Sequence, residues 1–464
     1  MSTEATKISD DSLSEKTVAP EVASEPWPSP RRAWYAVFVF ALALMINFLD
    51  RGIVSLLVRP IKESLSLSDI QMSLVMGFAF SCFYVILGFP IARMADYKSR
   101  RTILGVGVAI WSIMTALCGL AQNFWQLFLC RVGVGSGEAC SGPSTYSMLA
   151  DLFPRDKLPR AIAVLNFGFY AGNGLAYIIG GAITQMFDST SITLPIIDLT
   201  LSGWRLVFVV VGLPGLIVAA MLATVREPKR RGRISANTNN SIKPLPIREV
   251  VAYIRENRTT YTPMFIGMGI QVVMTIGAAS WAFAFYDRKF KWSAGEFGLV
   301  IGLLSLTVMP IGTLLGSMLA ERFASAGRDD ANLRVVLIGK LLAIPFGVLF
   351  PFMPTLFLAV AVSTISLFFI SLTPAPLNAA FQIITPNQMR GQVTAIYMFV
   401  FNVIGVGLGP TIVAVFTNYV FRDEQLIGYS LALTGLILGP LGTIAIWRAM
   451  KPYGRSVAEA KAWS

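Results

Sequence analysis

Residues 71–120 decide the fold and read QMSLVMGFAFSCFYVILGFPIARMADYKSRRTILGVGVAIWSIMTALCGL. Two uncharged apolar runs, Gln71–Ala92 and Thr102–Leu120, flank a short turn in which four of nine residues are basic. A helix needs about 20 apolar residues to cross the hydrocarbon core of a bilayer. This stretch therefore predicts two antiparallel membrane helices that are joined at one face of the bilayer.

Similar apolar runs recur along the rest of the chain. The first half is predicted to hold six membrane-spanning helices, called spans below, at Trp34–Val58, Gln71–Ala92, Thr102–Leu120, Asn123–Ala150, Ala161–Phe187 and Leu206–Val225. After a polar stretch rich in arginine, six more are predicted at 260–286, 297–320, 335–352, 355–380, 391–421 and 425–447. The pattern predicts an all-α membrane protein with twelve transmembrane helices in two pseudo-symmetric six-helix bundles.

The polar stretches divide the chain into units. We predict a disordered cytoplasmic tail at 1–32, a six-helix bundle at 33–225, a cytoplasmic linker at 226–259, a second bundle at 260–449 and a cytoplasmic tail at 450–464. Within the linker, residues 247–257 have helical apolar spacing. This spacing predicts a short amphipathic helix at the membrane surface.

The composition agrees with a membrane protein and argues against an enzyme. Hydrophobic residues make up 55% of the 464 positions and charged residues only 14%, whereas soluble domains carry about 25% charged residues. The chain has no histidine, which excludes histidine general-base chemistry and imidazole metal sites. Its four cysteines form no CxxC pair and are expected to be buried as small hydrophobic residues. We therefore expect no metal and no cofactor.

The net charge of +12 follows the predicted topology. Lysine and arginine concentrate in the linker, in every second turn between spans and beside the termini, with only a scatter in the other turns. Basic residues accumulate on the cytoplasmic side of membrane proteins, so both termini are expected to be cytoplasmic. The charge gives no reason to expect a nucleic-acid partner, and we expect a multi-pass protein of the cell (inner) membrane.

A weak internal repeat relates the two halves. At an offset of 233 residues four identities occur: Pro143 with Pro376, Gly172 with Gly405, Gly174 with Gly407, and Leu175 with Leu408. Together with the six-plus-six count, they favour a duplicated bundle of the kind that transporters use.

Four charged residues lie inside predicted spans. Asp50 and Arg51 interrupt the first span, and Arg131 and Glu138 the fourth. A charge at mid-membrane costs about 2.5–3.5 kcal/mol on insertion scales, so these side chains are expected to face the bundle interior. Arg131 and Glu138 share a helix face but lie about 10 Å apart along the axis, too far for a direct pair. We predict that Arg131 pairs with Asp50 and Glu138 with Arg51, either as structural ion pairs or as an ion or substrate path.

Beside these charges, Gly133, Gly135 and Gly137 are predicted to let a facing helix approach closely. The one deep ionisable residue of the second half is Lys340, which either extends to the membrane surface or has a functional role. A cavity between the halves would then be charged on one wall and apolar on the other. Such a pair of walls suits an amphipathic molecule with an anionic head.

The basic turn at 92–101 resembles the signature of the major facilitator superfamily, G-x-x-x-D-(R/K)-x-G-(R/K)-(R/K), although both glycines and the first base are replaced. The resemblance implies that Asp96 caps a helix of the other half and that Arg100 and Arg101 tie neighbouring loops. These three residues would then form a conformational gate that stabilises the outward-facing state.

Two further motifs resemble the spinster subfamily of that superfamily. Residues 131–139 read RVGVGSGEA, like the fourth-helix motif of spinster proteins, and residues 47–51 read NFLDR, like the first. Asp151-Leu152-Phe153 follows at the corresponding distance. Spinster-like proteins are proton-linked carriers of lipids such as lysophospholipids and sphingosine-1-phosphate, so the resemblance implies a lipid substrate.

The expected function is therefore proton-coupled transport of an amphipathic anionic lipid by alternating access, with protons as the coupling ion. Asp50 and Glu138 are the expected proton carriers, and Arg51, Arg131 and Glu138 the expected substrate-binding residues. Symport of small organic anions, such as carboxylates or sugar acids, stays open because such symporters share similar motifs, and multidrug efflux is a weaker alternative. The protein is expected to be a monomer within membrane lipid.

Overall fold

The structure is a computed structural model that describes residues 27–154, 157–187, 192–194, 199–201, 203–230, 246–386 and 388–460. Most of the predicted tail at 1–32 lies outside these residues, as do the middle of the predicted linker and positions 461–464. Helices account for nearly all of the regular structure in the described ranges.

The first half contains spans 1 to 6. Their helices are Pro30–Leu56 (span 1), Asp69–Ser73, Leu74–Phe78 and Ala79–Tyr97 (span 2, with a π-helical middle), Arg100–Cys118 (span 3), Phe124–Glu138 and Ser141–Leu152 (span 4), Leu158–Phe187 (span 5) and Gly203–Thr224 (span 6). A short helix, Val58–Leu65, joins spans 1 and 2. Between spans 5 and 6, the strands Ile192–Leu194 and Leu199–Leu201 pair antiparallel.

The second half contains spans 7 to 12, preceded by the linker helix Ile247–Glu256. The helices are Arg258–Phe290 (span 7), Ala294–Ser325 (span 8), Ala331–Leu349 with the 3-10 turn Phe350–Phe352 (span 9), Leu356–Ser371 and Pro374–Ile383 (span 10), Arg390–Phe399, Val400–Val406, Gly407–Val415 and Phe416–Phe421 (span 11, partly π-helical), and Ile427–Ala460 after the 3-10 turn Glu424–Leu426 (span 12).

The described residues thus support the predicted twelve spans. Ten helical segments are each long and apolar enough to cross a membrane. The fourth span is interrupted after Glu138 and divides into two shorter helices. The fifth, Leu158–Phe187, has 30 residues, which is long enough to cross. The all-α fold of twelve transmembrane helices in two bundles is confirmed.

Several spans begin at a side chain that caps the helix. The Asn123 side chain accepts a hydrogen bond from the backbone N–H of Gln126 at the start of span 4 (3.0 Å). At span 2, Ser68 and Gln71 cap each other's backbone N–H groups reciprocally. Such caps satisfy N–H groups that have no partner within the helix, and they fix where the short turns end and the spans begin.

The repeat in the sequence corresponds to a repeat in the packing. Span 5 packs on span 8 and span 2 packs on span 11, and both contacts join the two halves at glycines. A Cβ at Gly174 would lie 2.8 Å from the carbonyl oxygen of Gly302, and one at Gly407 would lie 2.8 Å from Oγ of Ser81. Gly174 and Gly407 are one of the four pairs related by the 233-residue offset. Small residues at these positions allow the helices of the two halves to approach closely.

The spans define two faces of the molecule. The terminal face carries the turns at 98–99, 326–330 and 384–389 and the described ends of the chain, and the far face carries the turns at 119–123, 291–293 and 353–355. Gly77, in the far half of span 2, contacts the backbone of span 11, whereas Gly88 and Gly391, nearer the terminal face, have open space before them. The described close contact between spans 2 and 11 therefore lies in the far half of these spans.

The ends of the bundles differ from the predicted boundaries. Span 1 begins at Pro30 rather than 33, and span 12 continues through the predicted tail to Ala460. This extension is held by packing, because Tyr453 is buried and its hydroxyl accepts a hydrogen bond from Asn332 (3.4 Å). The Ser456 hydroxyl also pairs with that of Thr260 (3.2 Å). The linker helix lies at Ile247–Glu256, where the apolar spacing predicts one.

Candidate functional site

Spans 1 and 4 bring the four predicted charged residues together inside the first half. The exposed fractions are 0% for Asp50, 1% for Arg131 and 0% for Glu138. The Arg51 side chain is the partly accessible member, at 28%. Charges in the hydrocarbon region are tolerated where they face a bundle interior and have partners. All four side chains point inward, and those of Arg51, Glu138 and Arg131 bind a group of the other span.

Arg51 and Glu138 form the predicted ion pair between span 1 and span 4. Nη2 of Arg51 lies 2.7 Å from Oε2 of Glu138, and Nε donates a hydrogen bond to the same oxygen at 2.8 Å. The second carboxylate oxygen, Oε1, is buried and is not bound by Arg51. The buried Asn47 side chain of span 1 lies next to the same carboxylate.

The predicted pairing of Arg131 with the Asp50 carboxylate is wrong in detail. Nη1 of Arg131 donates instead to the backbone carbonyl of Asp50, at 3.4 Å. Both carboxylate oxygens of Asp50 are buried without a hydrogen-bond partner among the described residues. The arginine lies along the ring of Phe80, 5.8 Å from its centroid, and from there it reaches the main chain of span 1 rather than the carboxyl group.

Both arginines lie near an aromatic ring of span 2. The guanidinium carbon of Arg51 lies 4.4 Å from the ring centroid of Phe80 and 5.5 Å from that of Tyr84. Arg131 approaches the same Phe80 ring. An arginine above an aromatic face is stabilised by the ring quadrupole, so Phe80 holds both cations at defined positions. The sequence analysis did not identify Phe80 or Tyr84, because aromatic residues are common in every span.

The predicted role of the glycines of span 4 is confirmed. A Cβ at Gly135 would collide with the carbonyl group of Phe80, and one at Gly137 would lie 2.8 Å from the carbonyl oxygen of Gly107 on span 3. Gly133 packs against Met114 in the same way. These contacts let span 4 lie directly against spans 2 and 3, which brings the charged residues within reach of Phe80.

Span 3 adds polar groups near Asp50 that the sequence analysis missed. Thr115 and Ser112 are buried, and Thr115 lies next to the Asp50 carboxyl. Glu138, Arg131 and Arg51 act on the same carboxyl through their charges. Hydroxyls are common in helices, so only their position next to a buried carboxyl identifies them.

At the terminal face, Arg100 and Arg101 of the superfamily-like turn bind groups of the first half. Arg100 is 1% exposed, and it pairs with Asp151 and with Glu227, whose Oε1 lies 2.9 Å from Nε. The backbone N–H of Arg101 donates to Oε2 of Glu227 at 2.7 Å. We call Arg100, Arg101, Asp151 and Glu227 the terminal-face cluster; the side chain of Asp96, the third predicted member of the gate, lies outside the described residues.

Electrostatics favour the charged form of Glu227, which lies beyond the end of span 6. Partial burial would raise the pKa of this carboxyl, but hydrogen bonds from the Arg101 backbone, the Arg100 guanidinium and the Ser99 hydroxyl outweigh it and lower the pKa below its ordinary value. The sequence analysis did not single out Glu227, because its acceptor role arises only when the ends of spans 3 and 6 meet.

At the far face, a second charged cluster joins the two halves. Asp69 at the start of span 2 pairs with Lys62 and with Nη2 of Arg288 on span 7 (3.2 Å). Glu424 beside span 12 completes the far-face cluster, 2.6 Å from Nζ of Lys62. Arg59 and Asp287 add an outer pair at 3.5 Å. The sequence analysis did not single out Lys62 or Arg288, because a few basic residues are scattered through the turns of this side.

In the second half, Lys340 does not extend to the membrane surface. It is buried in the middle of span 9, where Nζ donates to the carbonyl oxygen of Gly267 on span 7 at 3.1 Å. It therefore lies within the helix packing of the second half, apart from the charged residues of spans 1 and 4. Potential metal-binding groups of three or more cysteine, aspartate or glutamate side chains do not occur among the described residues.

Comparisons with known proteins agree with this architecture. A model of the Major Facilitator Superfamily matches residues 40–410. A protein of Mycolicibacterium smegmatis named "MFS-type efflux pump" is 27% identical over 93% of this chain and 95% of its own length. "Protein spinster homolog 1" of Xenopus laevis is 24% identical over 85% and 75%. The "Probable L-galactonate transporter" of Escherichia coli is 25% identical over 78% and 79%.

Solved structures include a similar chain. The crystal structure of a bacterial homologue of the human lysosomal transporter spinster, in an inward-facing and unoccupied conformation, matches with a TM-score of 0.76 and 25% identity. The match covers 93% of this chain and 99% of that one. The resemblance to spinster proteins that the motifs of spans 1 and 4 predict is thus borne out across almost the whole chain.

Proposed function

Because the chain belongs to the major facilitator superfamily of membrane transporters and resembles its spinster members, we propose that it is a proton-coupled carrier of an amphipathic anionic lipid. Lysophospholipids and sphingosine-1-phosphate-like molecules are the substrate class. The carrier works by alternating access and needs no cofactor other than the coupling proton. It acts as a monomer in the cell (inner) membrane.

One observation carries the proposal: a buried ion pair has one member that solvent reaches. Arg51 holds Glu138 with two hydrogen-bond donors while its side chain stays 28% exposed. An anionic head group that enters between the halves can bind this guanidinium in place of Glu138, since arginine binds carboxylate and phosphate with the same planar set of donors. Substrate binding would then release the carboxylate.

Protonation completes the exchange. A carboxylate that loses its arginine within a bundle is costly to keep charged, so Glu138 takes up a proton when the substrate takes Arg51. Asp50, whose two oxygens are buried without hydrogen-bond partners among the described residues, serves as the second proton carrier. Arg131, which donates to the Asp50 backbone carbonyl and also lies near Phe80, helps to hold the anionic head.

The two clusters of charges support rocking of the halves. The far-face cluster joins spans 2 and 7, and the close contact of Gly77 with span 11 lies in the same half of the membrane. With a cytoplasmic terminal face, as the distribution of basic residues predicts, closure at the far face corresponds to an inward-facing state. The terminal-face cluster keeps spans 3, 4 and 6 together as one rigid unit while the halves move. The resemblance to the superfamily signature assigns the conformational gate at this face to Asp96, Arg100 and Arg101.

A small organic anion is the second candidate substrate. It is favoured by the relative named as an L-galactonate transporter, and the same arginines would bind a sugar acid. The relative named as an efflux pump supports export, and multidrug efflux is the least favoured class. The spinster relatives and the motifs of spans 1 and 4 favour the lipid.

The decisive experiment is a binding panel with purified protein. Lysophospholipids, sphingosine-1-phosphate and small carboxylates including galactonate are titrated against the wild type, Arg131→Ala and Arg59→Ala. We expect the lipids to bind, Arg131→Ala to weaken them by about tenfold or more, and the exposed Arg59→Ala to leave them unchanged. Tighter binding of galactonate than of any lipid would replace the lipid with the sugar acid.

A further inference from the structure

Two of the four cysteines meet between spans 3 and 4. Cys118 is the last residue of the span 3 helix Arg100–Cys118, and Cys130 lies in the span 4 helix Phe124–Glu138. Their thiols lie next to each other, within reach of a side-chain hydrogen bond. Neither cysteine forms a disulfide in this structure, so the contact brings together two reduced thiols.

The packing of spans 3 and 4 explains why these thiols meet. A Cβ at Gly137 would lie 2.8 Å from the backbone nitrogen of span 3 that faces it, and one at Gly133 would lie 2.6 Å from Cγ of Met114. Cys130 precedes Gly133 by one helical turn. Cys118 follows Met114 by one turn, so the thiols form the next contact along the same antiparallel seam. Because glycines hold the two backbones this close, the seam suits the Cα separation of about 4.4–6.8 Å that disulfides require.

The two cysteines differ in access. Cys118 is completely buried, with an exposed fraction of 0%, whereas Cys130 is partly exposed. A reagent from outside the bundle therefore reaches Cys130 first. Cys118 is placed to react with a sulfur that is already attached to Cys130.

The pair lies in the far half of the first bundle. Cys118 is followed directly by the far-face turn at 119–123. The basic residues predict that the opposite, terminal face is cytoplasmic. Cytosolic reductants keep thiols reduced, whereas disulfides persist in oxidising compartments outside the cytoplasm, so the far face is the side from which an oxidant would come.

We propose that Cys118 and Cys130 form a reversible disulfide that ties span 3 to span 4, with a small disulfide as the oxidant. The Cys130 thiolate attacks one sulfur of the small disulfide and releases a first small thiol, which leaves a mixed disulfide on Cys130. The Cys118 thiolate then attacks the Cys130 sulfur and releases a second small thiol. The two protein thiols lose two protons and two electrons, and the small disulfide takes up both.

The bond would hold span 4 against span 3 beside the proposed exchange site. Arg131 follows Cys130 directly, and Thr115, which lies next to the Asp50 carboxyl, is one turn before Cys118. Both spans belong to the first bundle, so the cross-link joins helices that the proposed rocking moves as one unit. We expect the oxidised protein to melt a few degrees higher than the reduced protein, because a cross-link constrains the unfolded chain.

The test treats the full-length protein in detergent with bis(2-hydroxyethyl) disulfide, a neutral reagent that can enter apolar surroundings. Remaining thiols are then alkylated under denaturing conditions, and the tryptic peptide 102–131, which contains both cysteines, is analysed by mass spectrometry. We expect this peptide of the oxidised wild type to lack two hydrogen atoms and to have no alkyl label. Dithiothreitol should restore a label on both cysteines and return the melting temperature to its reduced value.

Single variants test the order of attack. In Cys118→Ser the reaction should stop at the mixed disulfide, so Cys130 keeps one reagent group. In Cys130→Ser the buried Cys118 should take up about tenfold less reagent in the same time. Cys140→Ser removes a buried thiol of span 4 outside the pair; it is the matched control and should give the wild-type result.

Four results would overturn the proposal. Labels on both cysteines of the oxidised wild type would show that the thiols do not bond. A bond from either one to Cys82 or Cys140 would assign the contact to another pair. Equal uptake of reagent by Cys118→Ser and Cys130→Ser would contradict the difference in access. A melting temperature that oxidation leaves unchanged would show that the bond does not tie the spans. None of these measurements involves a substrate, so they succeed or fail independently of the proposed carrier function.

Discussion

Arg51 and Glu138 form an ion pair across spans 1 and 4, with Nη2 of the arginine 2.7 Å from Oε2 of the glutamate. The two partners differ in access, because Glu138 is fully buried and Arg51 is partly exposed above the rings of Phe80 and Tyr84. An incoming anion can therefore reach the cation of the pair but not its anion. Because of this asymmetry, an anionic substrate can bind Arg51 in place of Glu138, and Glu138 can then take up a proton.

Glu138→Gln should abolish transport driven by a pH gradient in reconstituted liposomes. The glutamine keeps the shape of the side chain but can neither form the ion pair with Arg51 nor take up a proton. Downhill exchange of substrate should persist, because Arg51 remains available to the anionic head. Glu63→Gln, at an exposed position on the far face, is the control. Wild-type proton coupling in Glu138→Gln would remove this residue from the mechanism.

Asp69→Asn should weaken closure of the far face. Asp69 accepts ion pairs from both Lys62 and Arg288, so its neutralisation leaves two buried cations with Glu424 alone. We expect the population with a separated far face to rise by about tenfold, measured as longer distances between spin labels at the far ends of spans 1 and 7. Arg288→Gln should have a similar effect, because it removes the same ion pair between spans 2 and 7 and leaves Lys62 with Glu424 between the halves.

The control for this experiment is Arg334→Gln, which breaks an ion pair with Asp330 within one helix at the terminal face. It should leave the spin-label distances unchanged. If Asp69→Asn and Arg334→Gln give the same distances, the far-face cluster does not hold the halves together.

Gly135→Ala should destabilise the first half, because its Cβ would collide with the carbonyl group of Phe80. Overpacking of this kind costs about 1–3 kcal/mol, which a lower melting temperature in detergent would reveal. Gly142→Ala is the matched control in the same span, since nothing lies within 4 Å of the added carbon. There the better helix propensity of alanine should leave stability unchanged or raised. Equal behaviour of the two variants would mean that spans 2 and 4 are not in close contact.

Glu227→Gln should lower thermal stability at pH 7 but not in acid. The pKa of Glu227 is lowered in the folded protein by hydrogen bonds that outweigh its burial. A carboxyl with a lowered folded pKa contributes stability above its unfolded pKa of about 4.3 and loses it as the pH falls through the folded pKa. The melting temperatures of wild type and variant should therefore differ at pH 7 and converge below that range. A difference that persists in acid would assign the effect to packing.

Much of the fold could be predicted because the bilayer imposes a length on each apolar run. The turn at 92–101 and the polar stretch after Val225 have enough charge to interrupt such runs, so the spans and their division into halves follow directly. The breaks inside spans 4 and 10 did not follow, since residues 139–140 and 372–373 carry no charge. The extension of span 12 to Ala460 could not be predicted either, because burial of Tyr453 depends on a partner from span 9.

The sequence alone determined that Asp50, Arg51, Arg131 and Glu138 face inward, because charge in hydrocarbon is costly. Helix spacing also determined that Arg131 and Glu138 cannot pair with each other. Only the tertiary structure decided the partners. Glu138 forms its ion pair with Arg51. Arg131, which lies beside Phe80 of span 2, donates instead to the backbone carbonyl group of Asp50. The far-face cluster likewise arises from residues more than 200 positions apart, such as Asp69 and Arg288. Their pairing depends on how two bundles pack, and hydropathy along the chain contains no information about that.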